Sequence, residues 1–245
     1  MSEQPPFVRS LIADGLDRST FLSVTGVLCL QGGRELSPPC TVMDASVLAR
    51  SDGRVVVLAG AAGIGSDYAG SSARAVAYYR GLGAEVAVVP DPREDISTAS
   101  AALSDGIGLI VMPGGSPGGL LDVLTTIDGG SIGRRIAELW QSGAAISGAS
   151  AGAMVMCTQT VRPGRDSGIA AAGLGFVDGI AVPHWTPGSE RRWSLPDGLV
   201  WGLPECGGVI IDGDQMTAVG QGHPSVRVGN EWHRITRDGT EPVPV

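Results

Sequence analysis

The chain has 245 residues, a formal net charge of −8 at pH 7 and a pI near 4.8, which argues against nucleic acid or an anionic membrane as its partner. All 17 basic residues are arginines, so a Walker A loop and a Schiff-base lysine are excluded. The four cysteines lack metal-ligand spacing, and neither a signal-peptide pattern nor a membrane-length apolar run is present. These features predict a cytoplasmic protein with reduced, mostly buried thiols.

Apolar runs alternate with helix-compatible segments through the first part of the chain. Residues 1–22 are predicted to form an N-terminal extension, and residues 23–245 a single domain. The predicted strands are 24–30, 54–58, 84–89, 108–112 and 144–147. The predicted helices are 40–49, 68–82, 97–103, 119–125, 131–141 and 153–157. This alternation predicts an α/β fold with three layers (α/β/α) around a mostly parallel, doubly wound sheet.

The composition and the pattern of apolar residues change after residue 157. Residues 158–180 are rich in glycine and alanine and are predicted to be irregular. Short strand-like pieces follow at 179–182, 198–203, 208–211, 216–219, 225–228 and 232–236. Turn residues at 212–214 and 229–230 separate some of them, so the sequence predicts a C-terminal β-hairpin region.

A nucleophile elbow, G-x-S-x-G, is the strongest chemical motif. An apolar run ends in Gly148-Ala149-Ser150-Ala151-Gly152 and is followed by a helix-compatible segment. Glycines at 148 and 152 let the strand and helix backbones pass closely, which leaves the Ser150 hydroxyl exposed at the rim of the sheet. The alternative is a turn of small residues without chemistry.

A second glycine-rich turn follows the strand that ends at Leu58. The sequence A-G-A-A-G-I-G resembles a dinucleotide fingerprint, with Asp91 as the acid that would bind a ribose. The tyrosine–lysine pair of short-chain reductases is impossible without lysine. We therefore favour a small-residue turn at the rim of the site.

A nucleophilic serine needs an imidazole base and an acid that orients it. Among the three histidines, His184 follows an apolar strand directly, whereas His223 and His233 lie among the late hairpins. Glu205 follows the apolar run 200–204 and is therefore predicted to be paired. The other acids considered are Asp166, in a polar loop, and Asp178, in a turn.

Together these segments resemble the serine peptidases related to dipeptidase E and cyanophycinase, which share the class I glutamine amidotransferase-like fold. The resemblance rests on G-A-S-A-G-A, on the P-H-W histidine, on G-L-P-E and on the strand that ends in P-G-G, and it spans roughly residues 24–236. It implies Ser150 as nucleophile, His184 as base and Glu205 as the third member, with Asp166 as the alternative acid. It also implies an oxyanion hole built from the backbone N–H groups of Gly114, Gly115 and Ala151. The order Ser, His, Glu differs from that of α/β-hydrolases.

Departures from the family pattern concern the substrate. Ser116-Pro117 stands where relatives carry Asn, Gln, Asp or Thr, and Val182-Pro183 precedes the histidine where cyanophycinases carry polar residues. The candidate substrate-binding residues are Ser116, Trp185, Arg191 and Arg192. Two arginines suit a substrate carboxylate, so an N-terminal aspartyl or isoaspartyl peptide is one expectation.

The resemblance implies hydrolysis of a small peptide or amide through an acyl-serine, without a cofactor or metal. The alternatives are an acyl-transfer or tailoring enzyme on a non-peptide substrate and a non-catalytic binding relative. Relatives include monomers and homodimers, and either state is compatible with this sequence.

Overall fold

The computed structural model describes residues 25–162, 169–189, 195, 197–237 and 239–244. The predicted N-terminal extension therefore lies outside the described residues. The same is true of three predicted site residues, namely Asp166, Arg191 and Arg192.

Fourteen strands are present in the described residues. Numbered along the chain, they are β1 (Leu28–Gln31), β2 (Arg54–Val57), β3 (Val86–Val88), β4 (Ile107–Met112), β5 (Ala145–Ala149), β6 (Cys157–Arg162), β7 (Ile169–Ala172), β8 (Val177–Val182), β9 (Val200–Gly202), β10 (Gly207–Asp212), β11 (Gln215–Gly220), β12 (Ser225–Val228), β13 (Glu231–Arg234) and β14 (Glu241–Pro242). The central sheet has eight strands in the order β14-β11-β10-β1-β5-β4-β2-β3. The segment β1-β5-β4-β2-β3 is parallel, and β10, β11 and β14 extend it in antiparallel fashion.

Helices cover both faces of this sheet, as the strand–helix alternation predicts. They are α1 (Thr41–Leu48), α2 (Ser66–Gly81), α3 (Ile96–Ala102), α4 (Pro117–Thr125), α5 (Ser131–Gln141) and α6 (Ala151–Met156). Alternate strand residues enter two separate apolar clusters: Val55 and Val57 pack with α1 and α2, whereas Val56 packs with α3 to α6. The apolar runs are continuous because both faces of the parallel strands are buried.

A second sheet of six strands was not predicted. Its order is β13-β12-β9-β8-β6-β7, and parallel pairs join β8 to both β6 and β9. The prediction that residues 158–180 are irregular was wrong, since β6, β7 and the start of β8 lie there. The hairpins β10–β11 and β12–β13 were predicted, although β10–β11 joins the central sheet and β12–β13 the second.

The carboxyl ends of β1, β5 and β4 are neighbours in the central sheet. The loops that follow these strands therefore lie at one edge, where doubly wound sheets place their ligand sites. Among the described residues, no helix has the length and hydropathy needed to cross a membrane.

Candidate active site

Ser150 lies between the end of β5 and the start of α6, in the geometry of a nucleophile elbow. Its backbone is strained, with φ 49° and ψ −107°. A Cβ on Gly148 would lie 2.5 Å from the carbonyl carbon of Gly152, and one on Gly152 would lie 2.2 Å from the Met112 oxygen. Both glycines are therefore required by close backbone approach, as predicted, and the helix begins at Ala151 rather than at the predicted residue 153.

The structure brings Ser150, His184 and Glu205 together in a chain of contacts. Ser150 Oγ is 3.2 Å from His184 Nε2, and His184 Nδ1 is 3.2 Å from Glu205 Oε1. The His184 and Glu205 side chains are 51% and 48% exposed, so solvent reaches the pair. Arg34 Nη1 lies 3.8 Å from the other Glu205 oxygen, in an exposed ion pair that solvent weakens.

Three successive carbonyl groups after β1 hold the backbones of these segments. The carbonyl of Gln31 accepts a hydrogen bond from the Ser150 N–H (2.9 Å), and that of Gly32 accepts one from the His184 N–H (2.8 Å). The carbonyl of Gly33 accepts one from the N–H of Cys206, the residue after Glu205 (3.0 Å). Residues 31–33 therefore fix the positions of three segments that are far apart in sequence.

Backbone strain is concentrated in the same place. Six described residues other than glycine have a positive φ, and five of them lie in the loop after β1 or in the segments that this loop holds. These five are Arg34, Leu36, Ser150, His184 and Cys206. Such strain costs about 1–3 kcal/mol per residue and is typical of functional sites.

The three predicted oxyanion donors differ in their present partners. The Ala151 N–H begins α6, where helix geometry leaves it without an intrahelical acceptor. Gly115 is exposed and has φ 147°, and a Cβ there would lie 2.3 Å from the Ala61 oxygen. The Gly114 N–H donates to Glu35 Oε1 at 2.8 Å.

Glu35 is a residue of the site that sequence reasoning missed. It lies in the loop after β1 and is half-buried. The only signal in the sequence was that Gly32 and Gly33 follow the first predicted strand. No motif links Glu35 to Gly114, from which it is 79 residues distant in the chain.

A buried polar network lies beneath the elbow. The carboxylate of Asp44, 1% exposed, accepts hydrogen bonds from Gln31 Nε2 (2.7 Å), Tyr78 (2.8 Å) and Tyr79 (3.1 Å). Gln31 Nε2 also donates to Ser147 Oγ of β5 at 2.9 Å. Burial raises the pKa of Asp44, although its hydrogen-bond donors act in the opposite direction.

A cavity of about 10 Å³ lies beside this network, and Gln31, Asp44 and Ser147 are among the residues that line it. It has room for about one water molecule. Glu35 lines the same cavity as Asp44.

The structure places two predicted substrate-binding residues in structural roles. Trp185 is only 8% exposed, and its ring packs against Trp232 at a centroid distance of 5.1 Å. It lies in the core, so the structure adds no support to the prediction that it contacts substrate, which stays a prediction. Ser116 is exposed, but its hydroxyl caps α4 by accepting from the Gly119 N–H at 3.1 Å.

The other acids considered from sequence lie elsewhere. Asp178 is exposed near the start of β8, roughly 20 Å along the strand from His184. Asp91 is 6% exposed and forms a bidentate pair with Arg93, with both distances 2.8 Å. Because Arg93 occupies the Asp91 carboxylate, this acid is not available to a ribose, which removes support from the dinucleotide interpretation.

The remaining titratable side chains match their predicted surroundings. His223 and His233 are exposed, and the four cysteines are unpaired and buried. Burial raises the pKa of Cys40 to about 11 and that of Cys157 to about 12. Within the described ranges, no group of three or more His, Cys, Asp or Glu side chains is arranged to hold a metal ion.

Comparison with known proteins agrees with this architecture. The model of peptidase family S51 matches residues 46–223. A peptidase from an acI-B1 actinobacterium has a similar structure, with a TM-score of 0.72, 23% identity and coverage of 89% of this chain and 97% of its own. A putative peptidase E protein from Listeria monocytogenes EGD-e aligns with a TM-score of 0.57, 16% identity and coverage of 81% and 100%. These structures confirm the α/β fold, while no curated protein matches the sequence.

Proposed function

Since the chain belongs to peptidase family S51, and is thereby a serine peptidase of the peptidase E type, we propose that it cleaves a small peptide or amide through an acyl-serine at Ser150. The observation that carries this proposal is the continuous contact chain from Ser150 Oγ through the His184 ring to Glu205, with 3.2 Å at each step. Both distances lie at the long end of the usual range for such contacts, as is common before substrate binds.

In the proposed reaction, Ser150 Oγ attacks the substrate carbonyl while His184 Nε2 accepts the hydroxyl proton. The carbonyl π electrons move to oxygen, and the C–N bond breaks as the imidazolium returns the proton to the leaving amine. Water then attacks the acyl-serine by the same route, His184 accepts its proton, and Ser150 is restored. Glu205 orients the ring and stabilises its charged form.

The oxyanion of each tetrahedral intermediate would be held by backbone N–H groups. Ala151 and Gly115 are the first two donors that we propose, because Glu35 already holds the N–H of Gly114. A donor of this kind contributes about 2.7–4 kcal/mol to transition-state stabilisation. Gly114 contributes only after Glu35 has released its N–H.

An N-terminal aspartyl or isoaspartyl peptide is the substrate that we propose first. Arg191 and Arg192, outside the described residues, are the proposed partners of its side-chain carboxylate. Their role is a hypothesis drawn from residue type and the family resemblance.

A fluorophosphonate probe tests the chemistry without knowledge of the substrate. We expect the wild type, but not Ser150→Ala, to be labelled at Ser150. Ser46→Ala, which removes a partly exposed hydroxyl on α1, should be labelled normally. Absence of labelling in the wild type would favour a non-catalytic binding relative. A panel of Asp-X dipeptides, isoaspartyl peptides and simple esters then separates peptidase activity from acyl transfer.

A further inference from the structure

The carboxylate of Glu35 occupies one of the donors that an oxyanion would need. Glu35 Oε1 accepts a hydrogen bond from the Gly114 N–H at 2.8 Å. A Cβ built on Gly114 would lie 2.8 Å from this oxygen and 3.1 Å from Ser150 Cβ. The two side chains therefore flank the same peptide unit.

This arrangement opposes catalysis on a neutral substrate in two ways. The Gly114 N–H is already bonded, and the carboxylate that holds it lies near the nucleophile, where the tetrahedral intermediate would add a negative charge. Within the described part of the chain, no arginine or histidine lies within ion-pair distance of the Glu35 carboxylate. A cation supplied by the substrate would remove both obstacles.

We propose that Glu35 selects substrates that carry a free ammonium group beside the scissile carbonyl, because such a group draws the carboxylate away from Gly114 and frees that N–H for the oxyanion. This inference rests on the proposed acyl-serine chemistry. An α-ammonium lies two bonds from the carbonyl carbon, so a substrate bound at Ser150 presents it close to Gly114. Glu35 is then a specificity residue that binds substrate.

Phosphonate esters test the proposal because their reactive phosphoryl group occupies the oxyanion hole. The probes are the diphenyl phosphonate analogue of alanine with a free amine and the same compound with an N-acetyl group. For the wild type we expect the free amine to inactivate about 10- to 100-fold faster than the acetylated probe, the range of a charge-assisted hydrogen bond.

In Glu35→Gln this preference should collapse to a ratio near one, with the acetylated probe reacting faster than it does with the wild type. The matched control is Glu85→Gln, which removes an exposed carboxylate before β3, at the opposite end of the sheet, and should keep the wild-type ratio. An unchanged ratio in Glu35→Gln overturns the proposal. If a neutral fluorophosphonate labels Ser150 but the wild type shows no preference for the free amine, only the inference about Glu35 fails. If no probe labels Ser150, the proposed acyl-serine function fails as well.

A binding measurement supplies a second readout that does not depend on turnover. In Ser150→Ala, titration with alaninamide should shift the Gly114 amide resonance, because its hydrogen bond to Glu35 is lost. N-acetylalaninamide should leave that resonance in place, and Ser150→Ala/Glu35→Gln should respond to neither ligand. Equal shifts with both ligands would contradict the role of the ammonium.

Discussion

The imidazole of His184 lies directly against the α-carbon of Gly33. A Cβ at position 33 would lie 2.3 Å from Cε1 of the ring and 2.8 Å from Nδ1, and Gly33 has φ 123°, a conformation that favours glycine. The same residue accepts the Cys206 N–H through its carbonyl oxygen. Gly33 therefore holds the base by contact with its ring and the neighbour of the proposed triad acid by a hydrogen bond.

Gly33→Ala should displace the imidazole from Ser150 and reduce the rate of fluorophosphonate labelling by about 10²-fold, the cost of roughly 1 Å of misplacement. The matched control is Gly198→Ala, since Gly198 has a similar φ of 114° but nothing within 4 Å of an added Cβ. Both variants should lose stability through strain at positive φ, and thermal melts would measure that loss. Equal labelling rates in the two variants would show that the ring contact is unimportant.

Glu205→Gln should lower the labelling and turnover rates, since a neutral amide cannot stabilise the imidazolium. Replacing a fully buried triad acid by its amide lowers the turnover rate by about 10⁴-fold. Glu205 is 48% exposed, so we expect a loss closer to about 10²-fold. Initial rates on the best substrate of the dipeptide panel provide the measurement.

The alternative acid supplies a direct comparison for this experiment. Asp166→Asn should retain most of the wild-type rate if Glu205 orients His184. A large loss in Asp166→Asn together with a near-normal Glu205→Gln would reassign the third member of the triad. Glu231→Gln, which neutralises an exposed carboxylate on β13, controls for the change in net charge.

Much of the central sheet could be predicted because its signals are local. The run V-V-V at 55–57 is apolar and β-branched, and the elbow is recognised by glycines at fixed spacing. In contrast, β7 reads I-A-A-A, which has little β propensity, and it becomes a strand by pairing with β6. Sequence reading missed β7 because its pairing with β6, and not its own residues, determines it.

The candidate site divides in the same way. Ser150, His184 and Glu205 each follow a recognisable apolar run, so reactive side chains at strand ends could be proposed. Glu35 could not, because its role depends on a contact with Gly114 that no spacing encodes. The burial of Trp185 could not be predicted either, because its ring packs against Trp232, which is distant in the chain.

Substitutions at two glycines should have opposite effects on stability. In Gly152→Ala the new methyl group would lie 2.2 Å from the Met112 carbonyl oxygen, which belongs to the backbone and cannot swing aside. We expect a loss of about 1–3 kcal/mol in the free energy of unfolding, with loss of labelling at Ser150. Gly70, inside α2, has nothing closer than Arg74 Nη1 at 3.9 Å, so Gly70→Ala should gain about 0.5–1 kcal/mol. Urea denaturation measures both, and a stable, reactive Gly152→Ala protein would contradict the close packing of the elbow.

Asp44 should make the stability of the protein depend on pH in a predictable direction. Burial raises the pKa of this carboxyl in the folded state above its ordinary value of 3.8, so the native protein holds a proton that the unfolded chain releases. Its contribution to stability is present below that ordinary pKa and is lost as the pH rises through the raised one. In Asp44→Asn the side chain cannot ionise. The free energy of unfolding of the variant, minus that of the wild type, should therefore increase as the pH rises from about 4 to about 7.

Urea denaturation of the two proteins across that range isolates this effect, because the titration of every other group is common to both. The hydrogen bonds that the introduced amide makes with Gln31, Tyr78 and Tyr79 change the stability of the variant by the same amount at every pH. Only the change with pH of the difference in unfolding free energy therefore reports on the titration of Asp44. Parallel stability curves would mean that the Asp44 carboxyl titrates alike in the folded and unfolded states. A difference that falls with rising pH would mean instead that the three donors outweigh burial and lower the pKa of Asp44.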